Sequence, residues 1–108
     1  MTQELRSPLR KPQASLRRWR VTHQVHAEQA RQEKLWGEQN HGEHVWYPIL
    51  VEEVGEVGKD LNELAFGCTS EEGEQATLDH MKEELIHVAA VAMTWLEAIE
   101  RKELLRGA

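Results

Sequence analysis

From Leu78 to Ile99, apolar residues return at helical spacing for about six turns. Leu78, Met81, Leu85, Val88, Ala89, Ala92, Trp95, Leu96 and Ile99 make up this stripe. A stripe of that length on one segment has to be covered by other helices, since no part of the sequence shows the strict alternation of a strand. Two further segments can supply them. One begins near Ala14-Ser15, with Ser15 as N-cap, carries Leu16, Trp19, Val25, Ala27, Ala30 and Leu35, and stops near Trp36-Gly37. The other runs from Pro48 to Ala65 with Leu50, Val51, Val54, Val57, Leu61 and Leu64 on one face. Gly37 to Tyr47 reads as a loop, with Pro48 in the first helical turn after it. Gly67 to Gly73 reads as a turn, Gly67 standing just past the end of the second helix. The last helix is predicted over Glu74 to Leu105.

These elements predict an all-α helical bundle with three main helices per chain. Three amphipathic helices cannot cover all of their own apolar faces. Gly55 and Gly58, each unfavourable in a helix interior by up to ~1 kcal/mol, point to the close approach of another backbone. Completion of the bundle by homo-oligomerisation, as a homodimer or a dimer of dimers, follows from both points.

At 108 residues the chain is one domain. Its net charge of −6 is uneven: residues 1–20 carry +5 and the rest −11. Pro8 and Pro12 among charged residues mark residues 1–13 as a mobile basic arm, leaving 14–108 as the single all-α domain. A body so acidic argues against stable nucleic-acid binding and in favour of cation binding. One cysteine, Cys68, excludes an intrachain disulfide and fits a reducing, cytoplasmic setting. No apolar run reaches membrane-spanning length.

The chemistry is concentrated in two acidic pairs. Glu52-Glu53-x-x-Glu56 and Glu83-Glu84-x-x-His87 both lie inside apolar runs. Residues three apart share a helix face, so Glu53 points with Glu56 and Glu84 with His87. Polar groups at the edge of an apolar face are costly unless something compensates them, and a divalent cation held between two helices would do so. His80 lies one turn before Glu84. A lone His among Ile86 and Val88 also fits a core position.

In this pattern the chain resembles the MazG-like all-α nucleoside triphosphate pyrophosphohydrolases, whose signature is EExxE followed by ExxD. Glu52-Glu53-x-x-Glu56 matches the first half. Glu84-x-x-His87 matches the second, with His87 where Asp is usual. Glu33 to His41, with its WGEQNH stretch, and Glu84 to Ala92 look like the small bacterial and phage members, and the likeness covers about residues 20–100. It implies a homodimeric bundle that needs Mg²⁺ or Mn²⁺ and cleaves (d)NTPs to (d)NMP and pyrophosphate, including house-cleaning of non-standard nucleotides. It implies Glu53, Glu56, Glu84 and His87 as metal ligands and Glu52 as the residue that orients or deprotonates a water. Gln32 and Trp36 are expected near the base or sugar, and Lys34 and Lys59 near phosphate. His87 gives a nitrogen where the family has a hard oxygen, which favours Mn²⁺, Co²⁺, Zn²⁺ or Fe over Mg²⁺.

Two other readings fit the same residues. Glu84-x-x-His87 is the ExxH unit of ferritin-like di-metal carboxylate bundles, in which a dimer would supply Glu53 and the ExxH pair twice. A non-catalytic nucleotide-binding protein of the same fold is the other.

Overall fold

The computed structural model describes the backbone of residues 3–107 and the side chains of residues 13–107. It contains three helices: α1 (Gln3–Trp36), α2 (Glu43–Phe66) and α3 (Glu71–Gly107). There is no strand among the described residues. α3 lies at the centre, packed extensively on α2 and more sparingly on α1, while among the described residues α1 and α2 do not pack on each other. The result is a flat body of 57 × 40 × 22 Å. Its radius of gyration is 18.2 Å, against about 13 Å for a compact domain of this length.

Each helix starts earlier than the sequence reading placed it, for local reasons. α1 is helical from Gln3, well before Ala14-Ser15. The expected arm, residues 1–13, lies almost wholly outside the residues whose side chains are described. α1 ends as expected: Gly37 takes φ +73, and its N–H donates to the Glu33 carbonyl at 2.7 Å. That left-handed turn favours glycine.

α2 begins at Glu43, so the loop is shorter than Gly37 to Tyr47 and Pro48 lies inside the helix. Gly42 is its cap residue, and the Gly42 carbonyl accepts from the N–H groups of Val45 and Trp46. Pro48 falls early in the second turn, where only the bond back to His44 is forgone. α3 begins at Glu71 because Ser70 caps it: Ser70 Oγ accepts from Gly73 N–H at 3.0 Å. Glu71, Glu72 and Glu74 then complement the positive end of the helix. Gly67 follows α2 with φ −108, so its cap is not left-handed, yet its N–H still donates to the Glu63 carbonyl at 2.7 Å.

The core sits between α2 and the second half of α3. Trp46, Val91 and Ala98 are buried, with Ile49, Leu50 and Trp95 packed against them. The Trp46 and Trp95 rings stack at 6.4 Å, and the His41 ring meets Trp46 edge-on at 4.9 Å. The loop above this core is clamped by α3. Arg101 pairs with Glu38 at 2.8 Å and donates to Asn40 Oδ1 and the Gln39 carbonyl, both at 3.0 Å. Lys102 reaches the His41 carbonyl and Glu43, each at 3.4 Å. The WGEQNH stretch is therefore the tie that brings the ends of α1 and α2 onto α3.

The outer face of α2 is uncovered. Val51, Val54 and Leu61 are about half exposed, and nothing lies near the Cβ positions of Gly55 and Gly58. Within one chain, no backbone approaches the two glycines.

Candidate metal centre

The first half of α3 is of a different character. There the packing face carries Glu84, only 9% exposed, and His87, half-buried one turn on. α2 contributes Glu53 across from them. One ligand atom from each of Glu53, Glu84 and His87 lies within 4.8 Å of the others. His87 Nδ1 is 3.5 Å from Glu53 Oε2 and 3.5 Å from Glu84 Oε2. These gaps are long for charge-assisted hydrogen bonds. They are close to what a shared ion requires: neighbouring ligands bound at about 2.1 Å stand about 3.0 Å apart in octahedral geometry and about 3.4 Å in tetrahedral geometry. Two carboxylates and an imidazole are thus a fitting donor set for a divalent cation.

The electrostatics carry the mark of crowding. Burial pushes the Glu53 carboxyl above its ordinary pKa, against the pull of His87, and Glu84 and Glu52 push it further. Two flanking contacts hold the cluster from outside. On one side His80 Nδ1 meets Asp60 Oδ2 at 2.8 Å, and its Nε2 stands 3.7 Å from Glu84 Oε1. Asp60 raises the His80 pKa. On the other side His87 Nε2 stands 3.6 Å from Glu28 Oε2 of α1. Glu28 is buried and accepts from Arg31 at 2.7 and 2.8 Å and from Gln32 at 2.8 Å. The Arg31 guanidinium holds the Glu28 carboxyl below its ordinary pKa despite burial.

The other expected site residues lie apart from this cluster. Glu56 is half-buried, and its carboxylate lies 3.9 Å from Lys59 on its own helix. Glu52, Lys59, Lys34 and Trp36 are exposed. Gln32 donates to Glu28, one residue removed from the cluster. It also lines a cavity of about 240 Å³ along the α1–α3 seam, with Gln29, Glu33, Thr94, Glu97 and Arg101. Gln29 Nε2 donates to Thr94 Oγ1 at 3.1 Å and to Glu97 at 3.2 Å across that seam.

Sequence reasoning missed Glu28 and Asp60. Glu28 had a readable signal: it stands one turn after Val25 and one turn before Gln32, on the packing face of α1, where a carboxylate needs partners. Asp60 had none, because its partner His80 lies on another helix, α3.

Comparisons with protein-family models, with curated proteins and with solved structures give no match to this chain.

Proposed function

We propose that the chain is a metal-dependent nucleoside triphosphate pyrophosphohydrolase. The observation that carries this reading is the convergence of Glu53, Glu84 and His87 from two helices into a volume that fits one cation. In the proposed mechanism Glu53, Glu84 and the Nδ1 of His87 would hold a Mn²⁺ or Mg²⁺ ion. Glu56, one turn along α2, would join them on leaving Lys59. The bound ion supplies the positive charge that lets a polyphosphate approach these acids and favours ionisation of water. Glu52, exposed beside Glu53, accepts a proton from the attacking water. Water adds at the α-phosphorus, the bridge to the β-phosphorus breaks, and pyrophosphate leaves. Lys59 contacts the departing phosphates. The seam cavity takes the nucleoside: its amides and carboxylates suit hydroxyl and amino groups and repel phosphate. Lys34 and Trp36, exposed at the end of α1, are assigned to phosphate and to the base or sugar respectively.

The active form is proposed to be a homodimer or a dimer of dimers in the cytoplasm. The half-exposed Val51, Val54 and Leu61 and the open glycine positions on α2 support a helix from a second copy lying against that face. A monomeric mass by light scattering at micromolar concentration would count against it. No helix among the described residues is long and apolar enough to cross a membrane.

One observation favours a second reading. The residues brought together are one Glu and an ExxH pair, and Glu52 and Glu56 stand outside the cluster. That is the half-site of a di-metal carboxylate bundle. Incubation with a panel of canonical and modified NTPs and dNTPs under Mg²⁺ and Mn²⁺ separates the two. Nucleoside monophosphate with pyrophosphate supports hydrolysis. No turnover, with iron bound to the isolated protein, supports the oxidoreductase.

A further inference from the structure

The His87 ring has carboxylates from all three helices beside its two nitrogens, at 3.5–3.6 Å. Its Nδ1 faces Glu53 and Glu84, on α2 and α3, and its Nε2 faces Glu28 on α1. A neutral imidazole has one N–H and one lone pair, and only the lone-pair nitrogen can bind a cation. The two sides of the ring differ in what they offer. Glu53 and Glu84 have carboxylate oxygens free to share an ion with Nδ1. Glu28 does not: Arg31 and Gln32 engage both of its oxygens at 2.7–2.8 Å. Glu28 is thereby fixed in place, with its Oε2 3.6 Å from Nε2.

We propose that Glu28 is a positioning residue, which keeps the proton of His87 on Nε2 and so presents Nδ1 to the ion between Glu53 and Glu84. Arg31 and Gln32 hold Glu28 in that role. The inference rests on the reading that this cluster binds a divalent cation, but not on nucleotide hydrolysis. It gives α1 a function in a site whose ligands all come from α2 and α3. It also places Gln32 in the frame of the metal centre.

Two measurements on the full chain test it. The first needs no metal. At a pH where the ring is neutral, nitrogen-15 NMR of His87 should show the Nε2–H tautomer, and Glu28→Ala should convert it to a mixture. An Nδ1–H tautomer in the native chain, or a spectrum unmoved by the substitution, overturns the inference. The second is Co²⁺ titration followed by visible absorption. Glu28→Ala should weaken Co²⁺ about 10- to 100-fold, as loss of a carboxylate behind a ligating histidine does. Glu28→Gln, which keeps the volume and an acceptor oxygen, should fall between. In a His87→Asp background Glu28→Ala should change Co²⁺ affinity little, since a carboxylate ligand needs no support at Nε2. Equal weakening in both backgrounds would show that Glu28 acts by charge or by packing and not through His87. Native chain that binds Co²⁺ but hydrolyses no nucleotide leaves this inference standing and removes the hydrolase reading. Native chain that binds no Co²⁺ removes both.

Discussion

α3 runs through two regions built on opposite terms. From Val91 to Lys102 it faces Trp46, Trp95 and the clamped loop, and most of the polar groups there find partners inside the chain. Arg101 alone has three acceptors. From His80 to His87 it faces Asp60, Glu53 and Glu28, and the carboxylates at its centre lack matched partners. One region is largely satisfied as it stands, with the buried indole N–H groups of Trp46 and Trp95 its exceptions. The other gathers carboxylates in a shape that costs free energy unless their charge is neutralised, as the proposed cation would do. Substitutions in the first region should therefore cost stability in any solution, and substitutions in the second should cost function while sparing or helping the metal-free fold.

The largest expected effect is in the first region. Trp46 is 1% exposed and is the largest fully buried side chain. Trp46→Ala should destabilise by about 3–5 kcal/mol, read as a shift in the denaturant midpoint with and without chelator. A loss under ~1 kcal/mol would mean that this cluster does not anchor α2 on α3. Next comes the clamp. Arg101→Ala releases Glu38, Asn40 and the Gln39 carbonyl, and about 1–2 kcal/mol should go with it. The loss should be insensitive to metal. Rescue of the variant by Mn²⁺ would join the two regions that the comparison separates.

In the second region Glu53→Gln should do the reverse. It removes one of the crowded carboxylates, so the metal-free midpoint should hold or rise, while metal-dependent turnover disappears. Full activity in this variant would remove Glu53 from the ligand set. His87→Asp tests the choice of ion: turnover of the native chain should favour Mn²⁺ or Co²⁺ over Mg²⁺, and the substitution should move the preference toward Mg²⁺. An unchanged ratio of Mn²⁺ to Mg²⁺ activity would show that His87 does not ligate.

The two regions were also unequally legible. Helical periodicity sufficed for three helices and for the pairing of Glu84 with His87, because spacing within one helix is fixed by its geometry. It also placed the end of α1 at Gly37. The starts of α2 and α3 were missed. Their caps, Gly42 and Ser70, lie in stretches whose glycines and acids read equally well as loop. Trp46 falls in the stretch that reads as loop, although it is the centre of the core. Its burial depends on Val91, Trp95 and Ala98 of α3, which are distant in sequence. Glu53 meeting Glu84 was legible as an expectation from the matched motifs. The separation of Glu56 from them, and the entry of Glu28, depend on how far the helices are rotated about their axes, and a stripe of apolar residues does not fix that within a turn.

The smallest expected effect concerns the contact that borders the second region without belonging to its centre. His80 and Asp60 tie α3 to α2 at 2.8 Å, and the His80 pKa is raised, first by its hydrogen bond with Asp60 and then by the charge of that carboxylate. A histidine whose pKa is higher folded than unfolded binds its proton more tightly in the native state. Its contribution to stability is complete below the unfolded value of about 6.5 and fades as pH rises through the higher folded value. The ring is half exposed, so solvent screens the pair and the effect is modest. In chelator, the difference in thermal midpoint between the native chain and Asp60→Asn should be greatest on the acid side and should close on the alkaline side of that window. A difference that grows with pH would mean that His80 is neutral in the fold and that Asp60 acts on Glu84 instead. The contact would then belong to the metal centre, and the boundary between the two regions would move outward by one turn of α3.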